Sequence, residues 1–79
     1  MNSINIHYFA SLREKAGTEA EEVSFEGTYR ELYVELAQKH SFPIPAEMVQ
    51  VAVNDEFASM NSLVVQNSKV VFIPPVAGG

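Results

Sequence analysis

The stretch TYRELYVELAQKH, residues 28–40, decides the fold of this chain. Tyr29, Leu32, Tyr33 and Leu36 recur with the spacing i, i+3, i+4, i+7, the apolar stripe of a helix lying on a core. Thr28 and Glu31 carry the spacing of a capping box at its start. Glu35 and Lys39 form a favourably ordered i,i+4 pair, and Lys39 and His40 sit where the negative end of the helix dipole favours cations. Pro43 and Pro45 then bar the helix from continuing.

Shorter, mostly strand-like segments flank this helix. INIHYFA (4–10) alternates Ile4, Ile6 and Tyr8 with Asn5, His7 and Phe9, the period of a half-buried strand. SLREKAG (11–17) predicts two turns of helix, with Ser11 and Glu14 at capping-box spacing and Gly17 as a left-handed close. EEVSFEG (21–27) places Val23 and Phe25 on one face and Glu22, Ser24 and Glu26 on the other, a strand with a wet side. VQVAVNDEF (49–57) predicts a strand and turn, SLVV (62–65) a short strand, and SKVVFIP (68–74) the last strand. Strands grouped around one long helix predict an α+β domain: a mixed sheet of four to five strands with the helix across one face.

The two faces of that sheet are unequal. Val70 and Phe72 share one face of the last strand while Val71 and Ile73 share the other, and Phe9 opposes Tyr8, Ile6 and Ile4. A single long helix covers one face, so Phe9 and Ile73 point away from it. Either they form an exposed apolar patch, which on a small protein marks a partner surface, or the short helix or a loop covers them.

Composition narrows the function. At 79 residues the chain is one domain with no volume for a deep active site, which favours a carrier or interaction module. It has no cysteine, so disulfides, thiolate ligands and a cysteine nucleophile are excluded. The net charge of −5 argues against nucleic acid or an anionic membrane as partner and suits a basic protein surface. The start lacks a signal-peptide pattern and no apolar run approaches the ~20 residues of a membrane span, so the expected location is the cytoplasm. Nucleotide-binding glycine motifs and metal-spaced histidines are absent, and no metal site is expected. His7 and His40 read as structural or solvated, and Glu19, Glu21 and Glu22 as a solvated charge run.

The end of the chain, VVFIPPVAGG (70–79), is different. Pro74 and Pro75 block helix and sheet and stiffen the backbone into an extended form. At ~3.3–3.6 Å per residue, residues 74–79 reach about 20 Å beyond the body. Ala77, Gly78 and Gly79 are small enough to thread a narrow channel, and the tip offers only the Gly79 carboxylate. A carboxylate is a poor acyl donor until activated, for example as a mixed anhydride with AMP. The organisation expected is a body at 1–73 and an extended tail at 74–79.

These residues carry a resemblance. Phe9, Ala10, Leu12, Arg13, Glu14 and Gly17, then Val53 and Asn54, then Phe72, Pro74, Pro75, Val76, Gly78 and Gly79 are similar to the motifs of the molybdopterin synthase small subunits. These are MoaD-type sulfur carriers of the ubiquitin-like β-grasp family. The resemblance implies that an E1-like enzyme adenylates Gly79 with MgATP and that a sulfur donor protein supplies the sulfur of a C-terminal thiocarboxylate. It implies no permanently bound cofactor. The tail, Pro74, Pro75, Val76, Ala77 and Gly78, would then enter the large synthase subunit and deliver sulfur to cyclic pyranopterin monophosphate. That assembly would be a heterotetramer of two small and two large subunits, with the active site on the large one. The resemblance places the docking patch at Phe9, Phe57 and Ile73, with Arg13 either a partner contact or a structural ion pair. Where relatives carry Gly-Asp before the last strand this chain has Asn67 and Ser68, which can also make the turn. A carrier serving thiamin or another thiolated product, and a β-grasp interaction module that is never activated, are the competing readings.

Overall fold

The computed structural model describes residues 3–75. Along the chain run β1 (Ile4–Tyr8), α1 (Ser11–Ala16), β2 (Ala20–Val23), α2 (Tyr29–His40), a 3-10 turn (Ala46–Met48), β3 (Gln50–Val53), β4 (Glu56–Ala58) and β5 (Lys69–Ile73). The strands form one mixed sheet in the order β2-β1-β5-β3-β4. β1 and β5 are parallel at its centre and the other neighbours antiparallel. This is the expected α+β architecture, a ubiquitin-like β-grasp.

α2 forms for the reasons its sequence states. The Thr28 hydroxyl accepts from the Glu31 N–H, and the Glu31 carboxylate accepts from the Thr28 N–H at 2.9 Å, closing the capping box. Gly27 just before it has φ +140°, and a Cβ there would stand 2.7 Å from Glu31 Oε1, so glycine leaves room for the box. Tyr29, Leu32, Tyr33 and Leu36 are all buried. Tyr33 meets the Phe72 ring edge-on at 5.4 Å between centroids and stacks on Phe42 at 6.0 Å. The helix ends at Ser41, in a left-handed conformation, before either proline is reached.

Register explains the core. Cross-strand partners share a face, so Tyr8, Phe72, Val51 and Ala58 form one row under α2, and Glu21, Ile6, Val70, Val53 and Glu56 form the next. Ile4, Ile6, Leu12, Val51, Val70 and Phe72 are fully shielded from water.

Several local expectations differ from the structure. Ser11 lies inside α1 rather than capping it: the cap position is Ala10, with φ 52° and no side-chain hydrogen bond, although Gly17 closes the helix as anticipated. β2 starts and stops earlier than the alternation suggested. Phe25 lies beyond it, half-buried against the core, with its carbonyl satisfied by the Gln66 side chain at 2.9 Å. Residues 62–65 make no strand, only a bridge between Leu63 and Thr28. In that bridge the Val64 N–H donates to the Gly27 carbonyl, and the Val65 N–H beyond it donates to the Tyr29 hydroxyl. The extra strand is β4, which returns from β3 through Asn54 and Asp55, both at positive φ as a type I′ hairpin requires. Asn67 turns the chain into β5 at φ 61°.

Glu21 is the largest departure. It belongs to the inward row, so it is no part of a solvated run. Its carboxylate accepts from the Tyr8 hydroxyl, from His40 Nε2 at 2.7 Å and from Lys39 Nζ at 2.9 Å. Lys39 therefore reaches across to β2 instead of pairing with Glu35. Burial alone would raise the Glu21 carboxyl, but the hydrogen bonds from Tyr8, His40 and Lys39 outweigh it and lower it from 4.5 to about 2. Burial, then the hydrogen bond and charge of Glu21, push the Tyr8 hydroxyl upward. His40 also stacks on Phe42, so it is a packed structural group.

Two outcomes follow from these contacts. Because folding depresses the Glu21 pKa, its stabilisation is complete above about 4.5 and is lost as pH falls toward 2. In urea melts, Glu21→Gln should be less stable than the parent near pH 7, with the gap closing as pH drops through that window. Thr28→Ala, which removes the α2 cap, should cost about 1 kcal/mol in the same assay at neutral pH.

Candidate functional site

The sheet face away from α2 is built by the opposite alternation. Ala20, His7, Val71, Ala52 and Phe57 are successive cross-strand partners, a row crossing all five strands. Ile73 ends β5 on this face, and Phe9 follows β1. Together Phe9, Ala52, Asp55, Phe57, Val71 and Ile73 line an open concavity of about 320 Å3. Phe9 is 58% exposed and Phe57 74% exposed, and neither α1 nor any described loop covers them. α1 buries Leu12 on the core side and leaves Phe9 outside.

The chain turns sharply between those two residues. Ala10 adopts φ 52°, ψ −124°, a conformation that an L residue with a Cβ adopts at a cost of about 1–2 kcal/mol. That reversal sends Phe9 to one side of the sheet and Leu12 to the other.

Phe9, Phe57 and Ile73 thus converge on a single concavity. Arg13 does not line it: its guanidinium pairs with Glu19 at 3.0 Å, both side chains well exposed, an interaction of small energetic weight. Val71 was legible as an outward residue from the alternation of β5, and Ala52 follows from the same rule applied to β3. Asp55 was missed, since a turn residue has no periodicity to read. His7 is half-buried in the outward row and touches no second histidine that would make a metal pair. Among the described residues no cluster of histidine, aspartate and glutamate could hold a metal ion. No helix there is long and apolar enough to cross a membrane.

Ile73 both closes β5 and lines the concavity, so the chain leaves the body at its rim. Pro74 is buried and Pro75 exposed. Val76, Ala77, Gly78 and Gly79, expected from the sequence to thread a partner channel and carry the reactive tip, lie outside the described residues.

Comparison with known proteins agrees with this geometry. The chain is similar over 96% of its length, at 25% identity and a TM-score of 0.78, to the whole of a Pyrococcus furiosus protein assigned as molybdopterin converting factor, subunit 1. The small archaeal modifier protein 1 of Haloferax volcanii matches with a TM-score of 0.77 at 21% identity, covering 96% of this chain and 100% of that one. A chain from the Helicobacter pylori complex of subunits 1 and 2 of molybdopterin-converting factor matches with a TM-score of 0.65 at 19% identity, covering 98% and 99%. At those lower identities the likeness is one of fold. No curated protein matches the sequence. The family model described as the ThiS family matches residues 6–79. With that match spanning nearly the whole chain and the overall fold agreeing, this protein belongs to the ThiS family.

Proposed function

We propose that this chain is the sulfur carrier subunit of a molybdopterin synthase. The observation that carries the reading is the apolar concavity at the rim of which the Pro74–Pro75 segment departs. A partner seated there would bury Phe9, Phe57 and Ile73 and receive the tail in the same engagement. Pro74, Pro75, Val76 and Ala77 ahead of the glycines and the FASLRE start at residues 9–14 favour the molybdopterin branch, as does the similarity to converting-factor subunit 1. The similarity to a chain from a complex of subunits 1 and 2 supports a large subunit as partner; the assembly proposed is a heterotetramer of two small and two large chains.

In this reading the body is residues 1–73 and the arm residues 74–79. The reaction sequence runs in the cytoplasm. A Gly79 carboxylate oxygen attacks the α-phosphorus of MgATP in an E1-like enzyme and pyrophosphate leaves. A persulfide sulfur of the donor protein attacks the acyl carbon and AMP leaves. A thiol then cleaves the remaining sulfur–sulfur bond, so that Gly79 ends as a thiocarboxylate. In the large subunit that sulfur bonds to a carbon of cyclic pyranopterin monophosphate as that carbon's bond to oxygen breaks and the oxygen leaves, and water then hydrolyses the thioester so formed, releasing the carrier as a carboxylate. Two rounds complete the dithiolene. The carrier needs no cysteine for this, because the sulfur travels on its own carboxyl group.

The ThiS family match keeps a thiamin carrier as the second reading, since the body and the chemistry of the tip are shared. The intact mass of the protein from cells with an active pathway tests the carrier role common to both. A species heavier by one sulfur-for-oxygen exchange, mapped to the C-terminal peptide, is expected; only the parent mass after treatment with activating enzyme, MgATP and sulfur donor would leave a docking module. Sulfur delivery to cyclic pyranopterin monophosphate by the large subunit then separates the two branches.

Removal of Gly79 should abolish sulfur transfer while weakening large-subunit binding only modestly. Transfer that survives this deletion would refute the covalent route. Phe57→Glu and Ile73→Glu should lose at least tenfold in large-subunit affinity, as expected when a charge enters an apolar contact, and remain folded by circular dichroism.

A further inference from the structure

The edge of the sheet beside the concavity has a chemistry of its own. β4 is last in the strand order, so one side of its backbone has no strand to pair with. In a two-residue hairpin the pair flanking the turn, here Val53 and Glu56, is the hydrogen-bonded one, and the next pair, Ala52 and Phe57, is not. The Phe57 N–H and C=O therefore point away from β3, toward the open edge. Its phenyl ring is also the most exposed large apolar side chain among the described residues, at 74%. A second open concavity, of about 430 Å3 and lined by Val49, Gln50, Phe57, Ala58 and Met60, continues around that edge. Phe57 is the wall between the two concavities.

We propose that β4 accepts an extended segment of a protein partner as a sixth strand, hydrogen-bonded to the Phe57 N–H and C=O. Alternate side chains of an added strand fall on opposite faces, so one apolar residue meets the Phe57 ring and its neighbours meet Ala58 and Met60. Charge selects a basic strand. Asp55 and Glu56 stand exposed at the turn end of β4, and the chain carries −5 overall, which disfavours a second copy of itself on this edge. β2, the opposite edge, presents no exposed large apolar side chain and carries the exposed Glu22. The inference deepens the docking reading of this face, since such a strand would extend the contact from the concavity around the sheet edge.

The test uses the full chain and two end-blocked peptides, Lys-Val-Leu-Val-Lys and Glu-Val-Leu-Val-Glu, with backbone amide exchange followed by NMR. The basic peptide should slow exchange at the Phe57 amide several-fold and leave residues 20–23 unchanged, with the acidic peptide binding at least tenfold more weakly. Phe57→Ala and Phe57→Pro both remove the ring, but only the proline removes the outward N–H. The proline variant should bind about five- to tenfold more weakly than the alanine variant, the worth of one hydrogen bond. Equal binding by the two folded variants, or an unchanged Phe57 amide in the parent, overturns the proposal. Should Phe57→Pro unfold, the parent amide alone decides. Neither peptide engages Gly79 or the large subunit, so loss of the sulfur-carrier reading would leave this result standing, and the reverse.

Discussion

α2 has twelve residues and lies on a sheet five strands wide. At ~1.5 Å per residue the helix is about 18 Å long, and at ~4.8 Å per strand the sheet is about as wide. One helix of that length covers one face and cannot cover two. The buried rows Tyr8–Phe72–Val51–Ala58 and Ile6–Val70–Val53 are the face it takes. Everything distinctive about the other face follows from this shortage of cover. Val71, Ala52 and Ile73 line a hollow, and Phe9 and Phe57 stand at its rim, because no element remains to bury them.

The helix side also carries an engaged carboxylate among its apolar rows. Glu21 occupies an inward position near the sheet edge, where the C-terminal end of α2 approaches β2. A carboxylate there is tolerable only when its oxygens are fully engaged, and Tyr8, Lys39 and His40 engage them from β1 and α2. The result ties the end of the helix to the outermost strand on that side. It also holds His40 in place, between Glu21 and Phe42. In the proposed carrier reading this body serves as the scaffold, with the chemistry on the tail and in the enzymes that would receive it.

The face proposed for docking is apolar at its centre and acidic at its margin, with Asp55 in the lining itself. Apolar contact supplies affinity without direction, while charge and backbone hydrogen bonds supply orientation. In the proposed reading a threading arm needs orientation as much as affinity, since its tip would have to enter another active site. Ala10 contributes to that directional geometry by turning the chain so that Phe9 faces outward beside β5, from which the arm departs.

Much of this was legible in the residues themselves. The stripe of Tyr29, Leu32, Tyr33 and Leu36, the Thr28–Glu31 cap and the alternations of β1 and β5 depend on neighbours a few positions away, so local spacing reveals them. Alternation also assigned Phe9 and Ile73 to the face away from the helix. It could have assigned Glu21 inward as well, being two residues before Val23, but a glutamate in an acidic run carries no sign of partners that lie 13 to 19 positions distant. Tertiary structure alone decided that Lys39 turns from Glu35 to Glu21. It likewise decided that residues 62–65 give their N–H groups to Gly27 and Tyr29 rather than to a strand, and that Ala10 takes the cap position from Ser11. For Lys39 and for residues 62–65 a local preference worth a fraction of a kcal/mol met longer-range contacts, and those prevailed.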